Sequence, residues 1–71
     1  MELVDVDTRH AYDRIREAII TLELAPGTLA NEQQLAEDLH MGAVPVREAL
    51  KLLTHDELIV ITPRHGLYVA D

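Results

Sequence analysis

Ala25-Pro26-Gly27-Thr28 is the strongest break in this chain. Proline fixes φ and glycine tolerates a positive one, so no regular element runs through the pair. A second break follows at His40-Met41-Gly42, where Gly42 is expected to take a left-handed or capping conformation. Between the breaks the apolar residues recur at helical spacing. The chain of 71 residues must therefore build one small domain, or a piece of a longer protein, from short elements packed together. A domain of this size buries only about 60% of its unfolded surface, so the core is thin.

The residues between the breaks specify the elements. Positions 1–7 alternate loosely between apolar and acidic and read as an N-terminal tail. From Thr8 onward Ala11, Tyr12, Ile15, Ala18, Ile19 and Leu22 form a helical stripe, opposite Arg9, Asp13, Arg16 and Glu17. Asp7 or Thr8 is the expected cap, and Leu24 the expected end. Asn31 opens a second helix, with Gln34 three residues on completing a pair like a capping box. Leu35, Ala36 and Leu39 face inward there. A third helix is expected from Ala43 to Thr54, with Val46, Ala49, Leu50 and Leu53 at i, i+3, i+4 and i+7. Pro45 fits its first turn, where the missing N–H has no intrahelical partner.

After His55-Asp56-Glu57 the composition turns β-branched. Leu58-Ile59-Val60-Ile61 and Gly66-Leu67-Tyr68-Val69 read as the strands of a hairpin. Thr62-Pro63-Arg64-His65 supplies a tip of four or five residues. The expected fold is mainly α with a small β-hairpin: three helices plus a two-stranded wing. Two short helices joined by a glycine-containing turn form the helix-turn-helix pattern, whose second helix enters the DNA major groove. The hairpin that follows is placed to reach the neighbouring minor groove or the phosphates.

Charge pulls against that reading. Thirteen acids against six Lys and Arg give a formal −7. Setting aside Glu2, Asp5, Asp7 and Asp71 still leaves nine acids against six bases. Binding to a polyanion would thus depend on a local basic face, since the overall field opposes it.

Beyond pattern, the chain carries a set of recognisable stretches. These are Ile15-Arg16-Glu17-Ala18-Ile19, Leu24-Ala25-Pro26-Gly27-Thr28-Leu29, Asn31-Glu32 through Leu35-Ala36, Pro45-Val46-Arg47-Glu48-Ala49-Leu50, and Arg64-His65-Gly66 with Tyr68-Val69. Together they resemble the winged helix-turn-helix N-terminal domain of the GntR family of bacterial transcription regulators, in the subgroup with an all-helical effector-binding domain. The likeness runs from about residue 8 to 70. It implies sequence-specific binding to a double-stranded, palindromic operator, by a protein that is a homodimer at full length. It also implies that a small-molecule effector acts only through a C-terminal domain not included here. The cytoplasm is the expected compartment: nothing resembles a signal peptide, and the longest apolar runs are too short to span a bilayer.

The family's reading positions carry over unevenly. Where it usually has Ser/Thr-Arg-Thr before Pro-Val-Arg, this chain has Gly42, Ala43 and Val44. An arginine lost there is the natural partner of a guanine O6/N7 edge, worth about 1–3 kcal/mol of discrimination. A basic position in the second helix falls on Gln33. What remains is Arg47, with Lys51 one turn on, and the wing residues Arg64, His65 and Gly66. Arg47 is expected to touch DNA or, failing that, to pair with Glu48 or with an acid of helix two. Gly42, Ala43 and Val44 keep two roles: backbone amides for a phosphate, and apolar contact with a thymine methyl. Two or three cationic contacts give a modest salt dependence, near −0.9 in log–log slope per phosphate. The isolated domain is accordingly expected to bind weakly, and pairing two half-sites to give the larger gain.

Other chemistry finds little material. The chain has no serine and no cysteine, so the commonest nucleophiles and all thiolate ligands are missing. His10, His40, His55 and His65 show no i, i+3 or i, i+4 pairing, so neither a metal site nor a cofactor is expected. Glycines 27, 42 and 66 stand alone, and two tyrosines make a poor stacking platform. An enzyme is not expected. The rival reading is a degenerate winged helix that serves protein interaction or dimerisation, with little DNA binding.

Overall fold

The computed structural model describes residues 5–71. It contains three helices, α1 (Val6–Ile20), α2 (Glu32–Leu39) and α3 (Ala43–His55), then strands β1 (Ile59–Thr62) and β2 (Gly66–Val69). This is the expected winged helix-turn-helix order. Helix α3 is the centre of the packing: Val46, Ala49, Leu50 and Leu53 are all buried, against Ala11 and Ile15 of α1 and Ala36 of α2. Ile59 and Val69, opposite each other in the sheet, close the same core.

Helix α1 starts earlier than its apolar stripe suggested. Of the expected tail, residues 1–4 lie outside the described residues, but Asp5 is the N-cap and Val6 and Asp7 are helical. The Asp5 carboxylate accepts from the Thr8 N–H at 2.7 Å, which holds its pKa below the ordinary aspartate value. Thr8 could not serve as the cap because it faces inward and is buried. The far end stops at Ile20, short of Leu24. There the Thr21 hydroxyl donates to the Glu17 carbonyl at 2.9 Å, and Leu22 turns left-handed at φ 67°. The turn throws Leu22 out, 66% exposed, and brings Leu24 onto the core in its place.

Helix α2 keeps its expected cap, with Asn31 Oδ1 accepting from the Gln34 N–H at 2.9 Å. The reciprocal half of the box is not formed, because the Gln34 amide donates instead to Asp38 at 3.0 Å. Left-handed geometry at the turn falls on His40 (φ 57°), one residue past the helix, and the Met41 N–H returns to the Ala36 carbonyl. Gly42 is extended and caps α3 without a side chain. The expected break is there, made by another residue.

The wing is antiparallel, with Ile59 opposite Val69, Val60 opposite Tyr68, Ile61 opposite Leu67 and Thr62 opposite Gly66. Thr62 belongs to the strand, so the tip is Pro63-Arg64-His65, tighter than expected. The His65 N–H closes it onto the Thr62 carbonyl at 3.0 Å. Pro63 precedes Arg64 at φ 72°, the pattern of a type II turn, which favours glycine where arginine stands here. A third strand-like segment was not foreseen. Leu29 bridges Tyr68, and the N–H groups of Gly27 and Ala30 donate to the Val69 and Leu67 carbonyls at 2.8 and 2.7 Å. Strand β2 is therefore hydrogen-bonded on both sides, which an isolated hairpin needs for stability in water.

Candidate nucleic-acid interface

Burying Val46, Ala49, Leu50 and Leu53 leaves one row of α3 outside: Gly42, Ala43 and Val44 at its start, then Arg47 and Lys51. All five are exposed, Val44 by 63%. With Gly42 as the cap, no side chain accepts from the first-turn amides. Gln33, on the first turn of α2, is exposed as well.

Arg47 is held by a carboxylate. Its Nε–H donates to Glu32 Oε2 at 2.9 Å and its Nη2–H to Oε1 at 3.2 Å, a two-bond clasp between α3 and the first residue of α2. Of the pairings open to Arg47, it makes the one to helix two. The hydrogen bonds and charge of Arg47 hold Glu32 below the ordinary carboxylate range, while Glu32 pushes the guanidinium further up. Lys51 pairs within its own helix, Nζ to Glu48 Oε2 at 3.2 Å. Exposed pairs of this kind contribute little to stability. Their electrostatic consequence is larger: the two cations of α3 face outward, each already matched by an acid.

Arg47, Lys51 and Thr54 line a cleft of about 280 Å³ with Glu32, Leu50, Ile61 and Leu67. The cleft thus joins the outer row of α3 to the wing. Ile61 and Leu67 face each other across the hairpin, and the next pair outward is Thr62 with Gly66. Arg64 and His65 are exposed one step further out, and among the described residues neither has an ion-pair partner. A Cβ added at Gly66 would meet Leu29 at 3.6 Å, and φ there is +99°, which L side chains rarely adopt. Gly66 is required by the turn itself. The acid of helix two open to Arg47 is Glu32, while the apolar lining from Ile61 and Leu67 was not singled out from the sequence. Glu32 lies fifteen positions from Arg47, and only the packing of α2 on α3 brings them together.

Among the described residues no three of His, Cys, Asp or Glu gather as a metal site would require. No helix there is long and apolar enough to cross a membrane.

Comparison with known proteins agrees with this architecture. Residues 7–69 match the model for bacterial regulatory proteins of the gntR family. An HTH-type transcriptional regulator in an unstable DNA locus of Streptomyces ambofaciens is 39% identical over 62 residues, covering 87% of this chain and 26% of that protein. A GntR-family transcriptional regulator of Pseudomonas syringae pv. tomato superposes with TM-score 0.83 at 32% identity, over 93% of this chain and 28% of its own. A GntR-type regulator of Rhodococcus sp. RHA1 superposes at 0.87 with 27% identity, over 94% and 32%. The chain spans about a quarter to a third of these relatives' lengths. They are regulators of transcription, not enzymes. The three helices, the wing on α3 and the match over 7–69 together establish that this chain belongs to the gntR family of bacterial regulatory proteins, as a helix-turn-helix domain of its transcriptional regulators.

Proposed function

We propose that this domain binds double-stranded DNA sequence-specifically, with α3 in the major groove and the wing on the adjacent minor groove or phosphates. The observation that carries this is the division of α3 into a buried row and an outer row ending in the wing cleft. A helix locked from behind and open in front fits the groove geometry of the fold. Arg47 is the base-edge contact. Lys51, Arg64 and His65 face phosphates, and Gly66 admits close approach of the backbone. The amides at Gly42 and Ala43 take a phosphate, Val44 touches a thymine methyl, and Gln33 makes an uncharged contact from α2.

Within a protein of its relatives' length, the domain works in the cytoplasm as half of a homodimer on a palindromic operator. An all-helical C-terminal domain there takes the small-molecule effector, and the protein acts at the operator as a repressor or an activator. Two half-sites then offset the weak charge of each protomer.

Selection of duplexes from a randomised pool at low salt tests the proposal, followed by titration of the enriched duplex at two salt concentrations. A recurrent motif, with affinity that falls as salt rises and falls again in Arg47→Ala, supports it. Failure to enrich any motif, with Arg47→Ala indistinguishable from the parent, sinks it. That outcome favours a protein-interaction winged helix, the reading that the acid-matched cations of α3 would otherwise suggest.

A further inference from the structure

The Glu32–Arg47 clasp presents a problem for a DNA reader. A pair with no net charge does little to neutralise phosphate, and counterion release is where non-specific affinity originates. If Arg47 served as a point charge, Glu32 would cancel it.

The geometry resolves the problem in another direction. A guanidinium has five N–H donors in a rigid plane. Glu32 occupies one side of that plane, through Nε–H and one Nη2–H. Two hydrogens on Nη1 and one on Nη2 remain, and they include a parallel pair along the end of the fork. That pair matches the O6 and N7 acceptors of a guanine in the major groove. Both partners stand on fixed backbone. Glu32 is the first residue of α2, next to the Asn31 cap, where the helix dipole favours a carboxylate. Arg47 lies between the buried Val46 and the buried Ala49 and Leu50. Its rotamer freedom is thus restricted before any DNA arrives, which reduces the ordering cost on binding.

No other residue of α3 offers a planar pair of donors. Gly42, Ala43 and Val44 have no hydrogen-bonding side chain, and Lys51 is a rotating ammonium engaged with Glu48. We propose that Glu32 is a positioning residue for base recognition: by clasping one side of Arg47 it aims the free end of the guanidinium at a single guanine in each half-site. This rests on the DNA-binding reading above and adds to it the base that is read and the residue that makes the reading specific.

The test uses the 71-residue chain and the motif it enriches from a randomised pool. Each guanine of that motif is replaced in turn by 7-deazaguanine, which lacks the N7 acceptor. The parent chain is expected to lose about tenfold in affinity at one guanine of each half-site. Glu32→Ala is expected to shrink that penalty to within about twofold, while affinity for unrelated duplex rises because a carboxylate has left the interface. A residue that only stabilised the fold would lower both affinities together. Glu32→Gln, nearly isosteric, is expected to move both quantities the same way and carries the test should Glu32→Ala unfold. The full penalty retained in both variants overturns the proposal while leaving DNA binding intact. Failure of the parent chain to enrich any motif overturns both.

Discussion

Helix α3 and the wing tip each present basic residues, and they hold them in opposite ways. On α3, Arg47 and Lys51 are each engaged by a carboxylate, on a helix whose other face is the core. At the tip, Arg64 and His65 have no ion-pair partner among the described residues, and Arg64 stands on a left-handed backbone. The clasped cation has direction and little net field. The tip cation keeps its full charge and little preset direction. On the proposed DNA-binding reading, a domain with a formal −7 thus separates reading from attraction, and assigns them to different elements.

The largest effect is expected where α3 meets the core. Leu53→Ala should cost about 2–5 kcal/mol in denaturant unfolding, because the fully buried side chain leaves a cavity in a thin core. Affinity for the selected motif should fall with the folded fraction. Next comes Arg47→Lys, which keeps the charge and loses the fork. Discrimination between the motif and its 7-deazaguanine form should drop about tenfold, with the salt slope unchanged. A salt slope that moved instead would break the division of labour.

Arg64→Gly should act in the complementary way. It removes a charge, so the salt slope should weaken by about 0.9 per protomer with discrimination intact. It also relieves the left-handed strain, so thermal unfolding should show stability within about 1 kcal/mol of the parent, on the stabilising side. The smallest effect lies at the far end of α3, where the Tyr12 hydroxyl donates to Asp56 and ties α1 to the helix terminus. Tyr12→Phe should cost about 0.5–1 kcal/mol. That bond, with partial burial, raises the tyrosine pKa in the folded state. Its contribution is complete below the ordinary tyrosine value and is lost as pH rises through the folded one. The parent and Tyr12→Phe should therefore converge in stability at alkaline pH. Glu32 runs the other way: its lowered pKa means that the clasp contributes above the ordinary carboxylate range and fails as pH falls through the folded value.

Much of this was legible in the sequence because it is local or periodic. The buried row Val46, Ala49, Leu50, Leu53 follows from helical spacing alone, and the Asn31 cap from one side chain meeting an amide three residues away. The family motifs conveyed the fold and the outer row. What was missed depends on competition or on distance. Asp7 and Thr8 both suit a cap, yet both lie inside α1, Thr8 is buried, and Asp5 takes the role. His40 took the left-handed turn that Gly42 could have taken more cheaply. Leu22 continued the α1 stripe on paper, but the core had room for Leu24 instead. The pairing of 27–30 with β2 joins residues far apart in sequence, where no local preference signals a partner, and which helix-two acid Arg47 meets is decided only by packing.

The bridge from Leu29 to Tyr68 has a consequence for the order of assembly. Its two residues are 39 positions apart, so closing it costs more chain entropy than the hairpin turn does. Contacts of long span are rewarded only after nearer ones have shortened the path between them. The hairpin turn is therefore expected to close before the bridge, with the base of the wing zipped after its tip. The ribbon proposed to meet the nucleic acid is thus braced at its base only after its own turn has closed.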